Sequence, residues 1–102
     1  MLGFEVAERP PLPFPGFWLS FGCEVCLHLA DRSAYEAHAA TLDLAPAGGP
    51  VDHVALRYED GGALAARLEA AGIDAVRNEV PGGFRQLFVT DPNGLRVELN
   101  VL

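Results

Sequence analysis

The chain contains no lysine. Its 7 cations are all arginine, they face 14 carboxylates, and the formal net charge is −7. A balance this acidic argues against a nucleic-acid partner, because binding a phosphate backbone needs a basic patch. Long apolar runs are also missing: no stretch approaches the ~18 residues of a membrane-spanning helix, so no membrane partner is expected. The N-terminus lacks the charged-then-apolar pattern of a secretory signal, which makes a cytoplasmic location the default. Cysteine is limited to 2 residues, Cys23 and Cys26, in a C-x-x-C. In a continuous strand their side chains point to opposite faces, so a shared metal or redox site would need a turn between them. Reduced, packed thiols are the plainer expectation. The absence of lysine beside abundant alanine reads as genomic base composition rather than as a functional signal.

What is present is hydrophobic and patterned. Half of the 102 residues are hydrophobic, which describes a globular chain of one domain at most, small enough to need a partner to complete its core. Phe4 to Val6, Phe17 to Phe21 and Glu24 to Ala30 read as three short strands. The proline-rich run from Arg9 to Gly16 between the first two cannot sit in a central strand and forms a stiff loop that presents Phe14. Ser33 to Leu42 has the pattern of a short helix, with Ser33 as cap and Glu36 completing a weak capping box. Ala45 to Pro50 is a linker by composition.

The second half is better defined. Val51 to Tyr58 alternates as a strand, Asp60 is a helix cap, and Leu64, Leu68 and Ala71 share one face of a helix that Gly72 ends. Ala75 to Val80, Phe84 to Thr90 and Leu95 to Leu102 are three more strands. Pro81-Gly82-Gly83 and Asp91-Pro92-Asn93-Gly94 supply the turns between them. The order is βαβββ.

Strand parity then becomes a test. Val97, Leu99 and Val101 share a face suited to pack on the helix, which turns Glu98 the other way, with Arg96 and Asn100. Val54, Leu56 and Tyr58 form the matching helix-side set and leave His53 opposite. In the earlier strand Val25, Leu27 and Leu29 are the apolar set and His28 faces away. Three residues of metal-ligand type thus fall independently on the non-helix faces of their strands. Alone, each is equally well read as a solvated charge or a hydrogen-bonded sheet histidine. Together, two imidazoles and a carboxylate suit a divalent metal with open positions, either zinc or a non-haem iron-type set.

Several short motifs in this order and spacing resemble the vicinal oxygen chelate superfamily of glyoxalases, extradiol dioxygenases and bleomycin- or fosfomycin-resistance proteins. They are Leu2-Gly3-Phe4-Glu5-Val6, Trp18-Leu19 with Leu27-His28-Leu29, Asp52-His53-Val54-Ala55, Arg67 to Ile73, and Asp91-Pro92-Asn93-Gly94 followed by Val97-Glu98-Leu99. The resemblance implies an α+β fold of paired βαβββ modules curved around a divalent ion (zinc, nickel, manganese or iron). Residues 1–30 would be a partial first module, 31–50 a linker and 51–102 a complete second module. By position His53 and Glu98 correspond to the ligand pair of the second module. His28 corresponds to the last-strand ligand of the first, where glyoxalase I members usually carry glutamate.

The family's Leu-Gly-Phe-Glu-Val string normally follows a strand and a helix, here preceded only by Met1. The expectation is a first module short of one strand, one helix and one ligand, with Val25, Leu27 and Leu29 uncovered and a sheet edge unpaired. Either the Ser33 to Leu42 segment or a second copy of the chain would have to cover them, which makes a homodimer the expected assembly. The implied activity is that of a metal-dependent lyase, isomerase or dioxygenase on a small-molecule substrate that chelates through two neighbouring oxygens. Glu98 is both ligand and candidate base, and Trp18, Arg57, Gln86 and Phe88 are candidate substrate contacts. Two alternatives stand beside it: a non-catalytic small-molecule binder of the same fold, with an aromatic ligand held by Trp18, Phe17 or Phe88, and a truncated, inactive homologue.

Overall fold

In the computed structural model residues 2–47, 49–80 and 85–101 are described. They form two compact units, Met1–Thr41 and Leu42–Leu102. The first unit is an antiparallel meander of β1 (Glu5–Ala7), β2 (Gly16–Phe21) and β3 (Glu24–Ala30), followed by helix α1 (Arg32–Ala40). β2 and β3 approach closely where Gly16 pairs with Ala30: a Cβ on Gly16 would lie 2.0 Å from the Leu29 carbonyl oxygen. Further along, the pairing slips from Leu19↔Leu27 to Ser20↔Val25, a bulge at which Cys26 is passed over. Cys23 sits in the turn before β3, and both thiols are exposed and free.

The proline-rich loop is closed by one side chain. Arg9 donates through Nη1 to the Gly16 carbonyl (2.8 Å) and through Nη2 to the Phe14 carbonyl (2.7 Å). Its guanidinium also lies 5.6 Å from the centre of the Phe14 ring. Phe14 is thereby presented to α1, edge-on to Tyr35 at 5.1 Å and tilted against His38 at 5.5 Å. The helix starts one residue earlier than its sequence pattern suggests, and its cap is Asp31, not Ser33. Asp31 Oδ1 accepts from the Ala34 N–H (2.9 Å) and from the Ser33 hydroxyl (3.0 Å). A carboxylate is the stronger acceptor at a helix N-terminus, which is why it displaces the hydroxyl there. Because α1 packs on Phe14, Leu27 and Leu29 on one face of β3 are left open, at 44% and 51% exposure, while the bulge turns Val25, expected on their face, to the side of His28.

The second unit is the βαβββ pattern. β4 (His53–Tyr58) leads through α2 (Gly61–Ala70) to β5 (Val76–Glu79), β6 (Arg85–Thr90) and β7 (Arg96–Val101). The sheet order is β4-β7-β6-β5, so the first and last strands lie side by side and run parallel. Asp60 caps α2, accepting from the Ala63 N–H at 2.9 Å. Gly72 ends the helix at φ +67°, and the Ile73 N–H closes the last turn on the Leu68 carbonyl (2.9 Å). Asp91 organises the β6–β7 turn, its Oδ1 accepting from the N–H groups of Asn93 (2.9 Å) and Leu95 (2.8 Å). The expected Pro81-Gly82-Gly83 turn lies outside the described residues.

Segment 31–50 is divided between the units rather than being one connector. Up to Thr41 it belongs to the first unit, with α1. From Leu42 it belongs to the second, where Leu44 is buried with Leu87, Phe88 and Val101. The start of α2 packs on β7 so tightly that a Cβ on Gly61 would meet the Val101 side chain. The edge strand β4 gains less cover, and Val54 and Leu56 on its helix-side face stay 42% and 55% exposed.

Candidate metal and substrate site

Register decides what shares a face with His53. Across β4 and β7, His53 pairs with Arg96, Ala55 with Glu98 and Arg57 with Asn100. Across β7 and β6, Glu98 pairs with Phe88 and Asn100 with Gln86. Across β6 and β5, Phe88 pairs with Val76 and Gln86 with Asn78. Directly paired residues project to the same side of a sheet, so all of these point away from the Val97, Leu99 and Val101 set. The parity argument from sequence therefore holds for His53 and Glu98, and the register adds Arg57, Gln86 and Phe88 to the same face.

On that face the imidazole of His53 bridges two carboxylates. Its Nε2 lies 2.8 Å from Glu98 Oε2 and its Nδ1 2.8 Å from Asp52 Oδ1. The other oxygen of Glu98 accepts from Gln86 Nε2 at 2.7 Å, and Gln86 Oε1 accepts from Asn78 Nδ2 at 2.7 Å. Asp52 Oδ1 also accepts from Arg96 Nη1 (3.0 Å), and Arg96 Nη2 donates to the Ala45 carbonyl. Glu98 and Arg96 are both buried, at 9% and 8% exposure, so the network carries two charges that would be costly if unpaired.

Burial acts against the charged form of His53, but the hydrogen bonds and charges of Glu98 and Asp52 outweigh it. They hold the imidazole above its ordinary value of 6.5. Burial likewise acts to raise the carboxyl of Glu98. The hydrogen bond and charge of His53, with hydrogen bonds from Asn100 and Gln86, overcome that and hold it below 4.5. Both shifts favour the imidazolium–carboxylate ion pair relative to the free side chains, and the hydrogen bond joins two groups that would each also serve a cation.

Two donors bound cis to one metal ion at ~2.1 Å each stand roughly 3 Å apart. The observed 2.8 Å between Nε2 and Oε2 fits such a pair with little movement. A carboxylate on the far ring nitrogen is also the usual support of a metal-binding histidine. Among the described residues no group of three or more His, Cys, Asp or Glu side chains stands ready to hold a metal ion. His28 is in the first unit, stacked face to face on Trp18 with ring centres 4.0 Å apart. The two sheets share a pattern, however. Both His28 and Glu98 lie on the last strand of a meander and pair across it with an aromatic residue, Trp18 and Phe88 respectively.

Phe88 is buried and stands edge-on to His53, with ring centres 6.3 Å apart. It also lines an open pocket of about 530 Å³ in the same unit, together with Leu44, Ile73, Val76, Thr90 and Arg96. Arg57 is exposed on the His53 face, while Gln86 is engaged by Glu98, Asn78 and Asn100. Sequence reasoning missed the roles of Asp52 and Arg96. Parity already put Arg96 on the face of Glu98, but its partners 44 and 51 residues away are set by the fold.

No protein-family profile matches the chain. Among curated proteins, Glyoxylase I 4 of Arabidopsis thaliana is 38% identical over 104 residues. The match covers 97% of this chain and 57% of that protein, so the chain spans little more than half of its relative. Among solved structures, lactoylglutathione lyase from Agrobacterium tumefaciens aligns with a TM-score of 0.44 and 21% identity, over 97% of this chain and 75% of that one. Nearly the whole chain is therefore similar in sequence to part of a protein named as a glyoxalase. The chain's architecture is α+β, with a βαβββ unit and a three-stranded meander.

Proposed function

We propose that the chain is a divalent-metal-dependent lyase, isomerase or dioxygenase that acts on a small molecule through two neighbouring oxygens. The observation that carries this reading is the pair of half-buried His53 and buried Glu98, 2.8 Å apart and braced by Asp52 and Gln86. His53 Nε2 and Glu98 Oε2 are the proposed donors. His28 is proposed as a ligand from the resemblance, and its register position in the meander of its own unit corresponds to that of Glu98 in the other. A bound zinc, nickel, manganese or iron ion would supply Lewis acidity to a substrate oxygen.

The chain's own residues then do the rest. Glu98, with one oxygen held by Gln86, is the proposed proton carrier. Phe88 keeps the site dry from beneath His53, and the pocket it lines accepts the body of the substrate. Arg57 offers a charge to an anionic group, and Trp18 an aromatic surface beside His28. The open face of β3 supports a homodimer in which a second copy covers Leu27 and Leu29. Among the described residues no helix is long and apolar enough to cross a membrane, which is compatible with the proposed cytoplasmic location.

Metal analysis of the purified protein tests the reading. It requires about one divalent ion per site, lost in His53→Ala and in Glu98→Ala; full occupancy in both variants removes the ligand assignment. Sedimentation at high concentration tests the dimer, and a monomer throughout refutes it. One observation favours a second reading, a non-catalytic binder of small aromatic molecules: His53 and Glu98 satisfy each other without a cation, beside the aromatic ring of Phe88. A metal-free protein that binds such ligands with unchanged affinity in Glu98→Ala would establish that alternative.

A further inference from the structure

One carboxylate oxygen organises the surroundings of His53. Asp52 Oδ1 accepts from His53 Nδ1 at 2.8 Å and from Arg96 Nη1 at 3.0 Å. Arg96 is itself fixed, being buried, carried by β7 and bonded through Nη2 to the Ala45 carbonyl. A histidine ring can turn about its Cβ–Cγ bond, and a half-turn would exchange each nitrogen for a carbon. Glu98 would then face a C–H instead of Nε2. The Asp52 hydrogen bond opposes that turn. A carboxylate also accepts but does not donate, so with a cation in place of the proton on Nε2 the remaining ring proton would sit on Nδ1, where Asp52 accepts it.

We infer that Asp52, held in place by Arg96, is the positioning residue that sets the orientation and tautomer of His53 toward Glu98. Asp52 acts through the imidazole, and Arg96, which also lines the pocket beside Phe88, acts on the ring through Asp52. The inference rests on the metal reading above for its purpose, but the hydrogen bond it invokes is there without a metal. Charge accounting agrees. Arg96 offsets Asp52, so the carboxylate can brace the ring without adding a second unbalanced negative charge beside buried Glu98.

The test uses the full chain and its Asp52→Ala, Asp52→Asn and Arg96→Met variants. Zinc affinity is measured by competition with a chromophoric chelator, and the His53 ring is followed by ¹⁵N-edited NMR with and without zinc. Loss of such a supporting partner lowers metal affinity by roughly tenfold to a hundredfold, which is the fall expected for Asp52→Ala. Asp52→Asn keeps an acceptor in place and is expected to fall less. The His53 Nδ1–H signal, shifted downfield and protected from exchange in the parent, should disappear in Asp52→Ala and persist in Asp52→Asn. Because Arg96 acts through Asp52, adding Arg96→Met to Asp52→Ala should lower affinity no further.

Unchanged zinc affinity in Asp52→Ala together with an unchanged Nδ1–H signal overturns the inference. If the parent itself binds no zinc, the metal reading fails, and the signal in the metal-free protein decides the positioning role by the same criterion. Should Asp52→Ala fail to fold, Asp52→Val, which also removes the acceptor, decides by the same two criteria: a parental affinity and a parental ring signal refute the role, and a reduced affinity with loss of the signal supports it.

Discussion

His53 Nε2 and Glu98 Oε2 lie 2.8 Å apart although the residue directly beside Glu98 in the sheet is Ala55. The contact is diagonal between two parallel strands, and the methyl side chain of Ala55 leaves the imidazole room to reach across. One strand contributes the ring, its neighbour the carboxylate, and β6 holds the carboxylate's second oxygen through Gln86.

The pair makes stability depend on pH in both directions. His53 is held above 6.5, so its contribution is complete below 6.5, where the unfolded chain is also protonated. It is lost as pH rises through the higher folded value. Glu98 is held below 4.5, so its contribution is complete above 4.5 and is lost as pH falls through the lower folded value. Urea unfolding of the metal-free protein should therefore show the pair's largest contribution between these two ordinary values. Glu98→Gln should shrink the alkaline decline and remove the acidic one that belongs to this carboxyl. A profile identical to the parent's would show that the pair does not control it.

Removing one partner should cost more than removing both. His53→Ala leaves the Glu98 carboxylate buried without its cation, a loss on the order of 3–5 kcal/mol where the neighbourhood cannot relax. The double variant His53→Ala/Glu98→Gln should recover part of that, read as a higher urea midpoint than His53→Ala alone.

Two glycines are predicted to differ in their tolerance of alanine. At Gly16 the added Cβ would meet a backbone carbonyl of the neighbouring strand, which cannot move without opening β2 from β3. At Gly61 it would meet the side chain of Val101, which can shift. Gly61→Ala should lose about 1–3 kcal/mol, as overpacked sites do. Gly16→Ala should lose more, or fail to fold. Thermal melts of the two variants check the order.

Helix caps supply a further comparison. Asp60→Ala should destabilise the second unit by ~1 kcal/mol through the loss of the Ala63 N–H partner. In the first unit Asp31→Ala should lower the melting temperature more than Ser33→Ala, because the carboxylate and not the hydroxyl receives the helix N–H. Equal effects would return the cap to Ser33.

Much of this arrangement was legible beforehand, for identifiable reasons. The β3 bounds Glu24–Ala30, the stop at Gly72 and the Asp91 to Gly94 turn each follow from side chains acting within a few residues of themselves. Alternation at a period of two likewise turned His53 and Glu98 to one side. The α1 cap was misread because Asp31 and Ser33 are both good caps, and the choice depends on where the helix begins on Phe14. The helix over Ser33 to Leu42 was expected as one possible cover for Val25, Leu27 and Leu29. It packs on the proline-rich loop instead, because Arg9 holds Phe14 out to meet it.

By itself, then, the sequence determined the local elements and the side each candidate residue faces, since periodicity, caps and turns are short-range properties of the chain. Only the tertiary structure decided which of those residues meet. The parallel pairing of β4 with β7 brings the ring of His53 to Glu98, and burial of Arg96 ties Asp52 to Ala45. Such contacts depend on which strands become neighbours and in what register, and no local pattern encodes that.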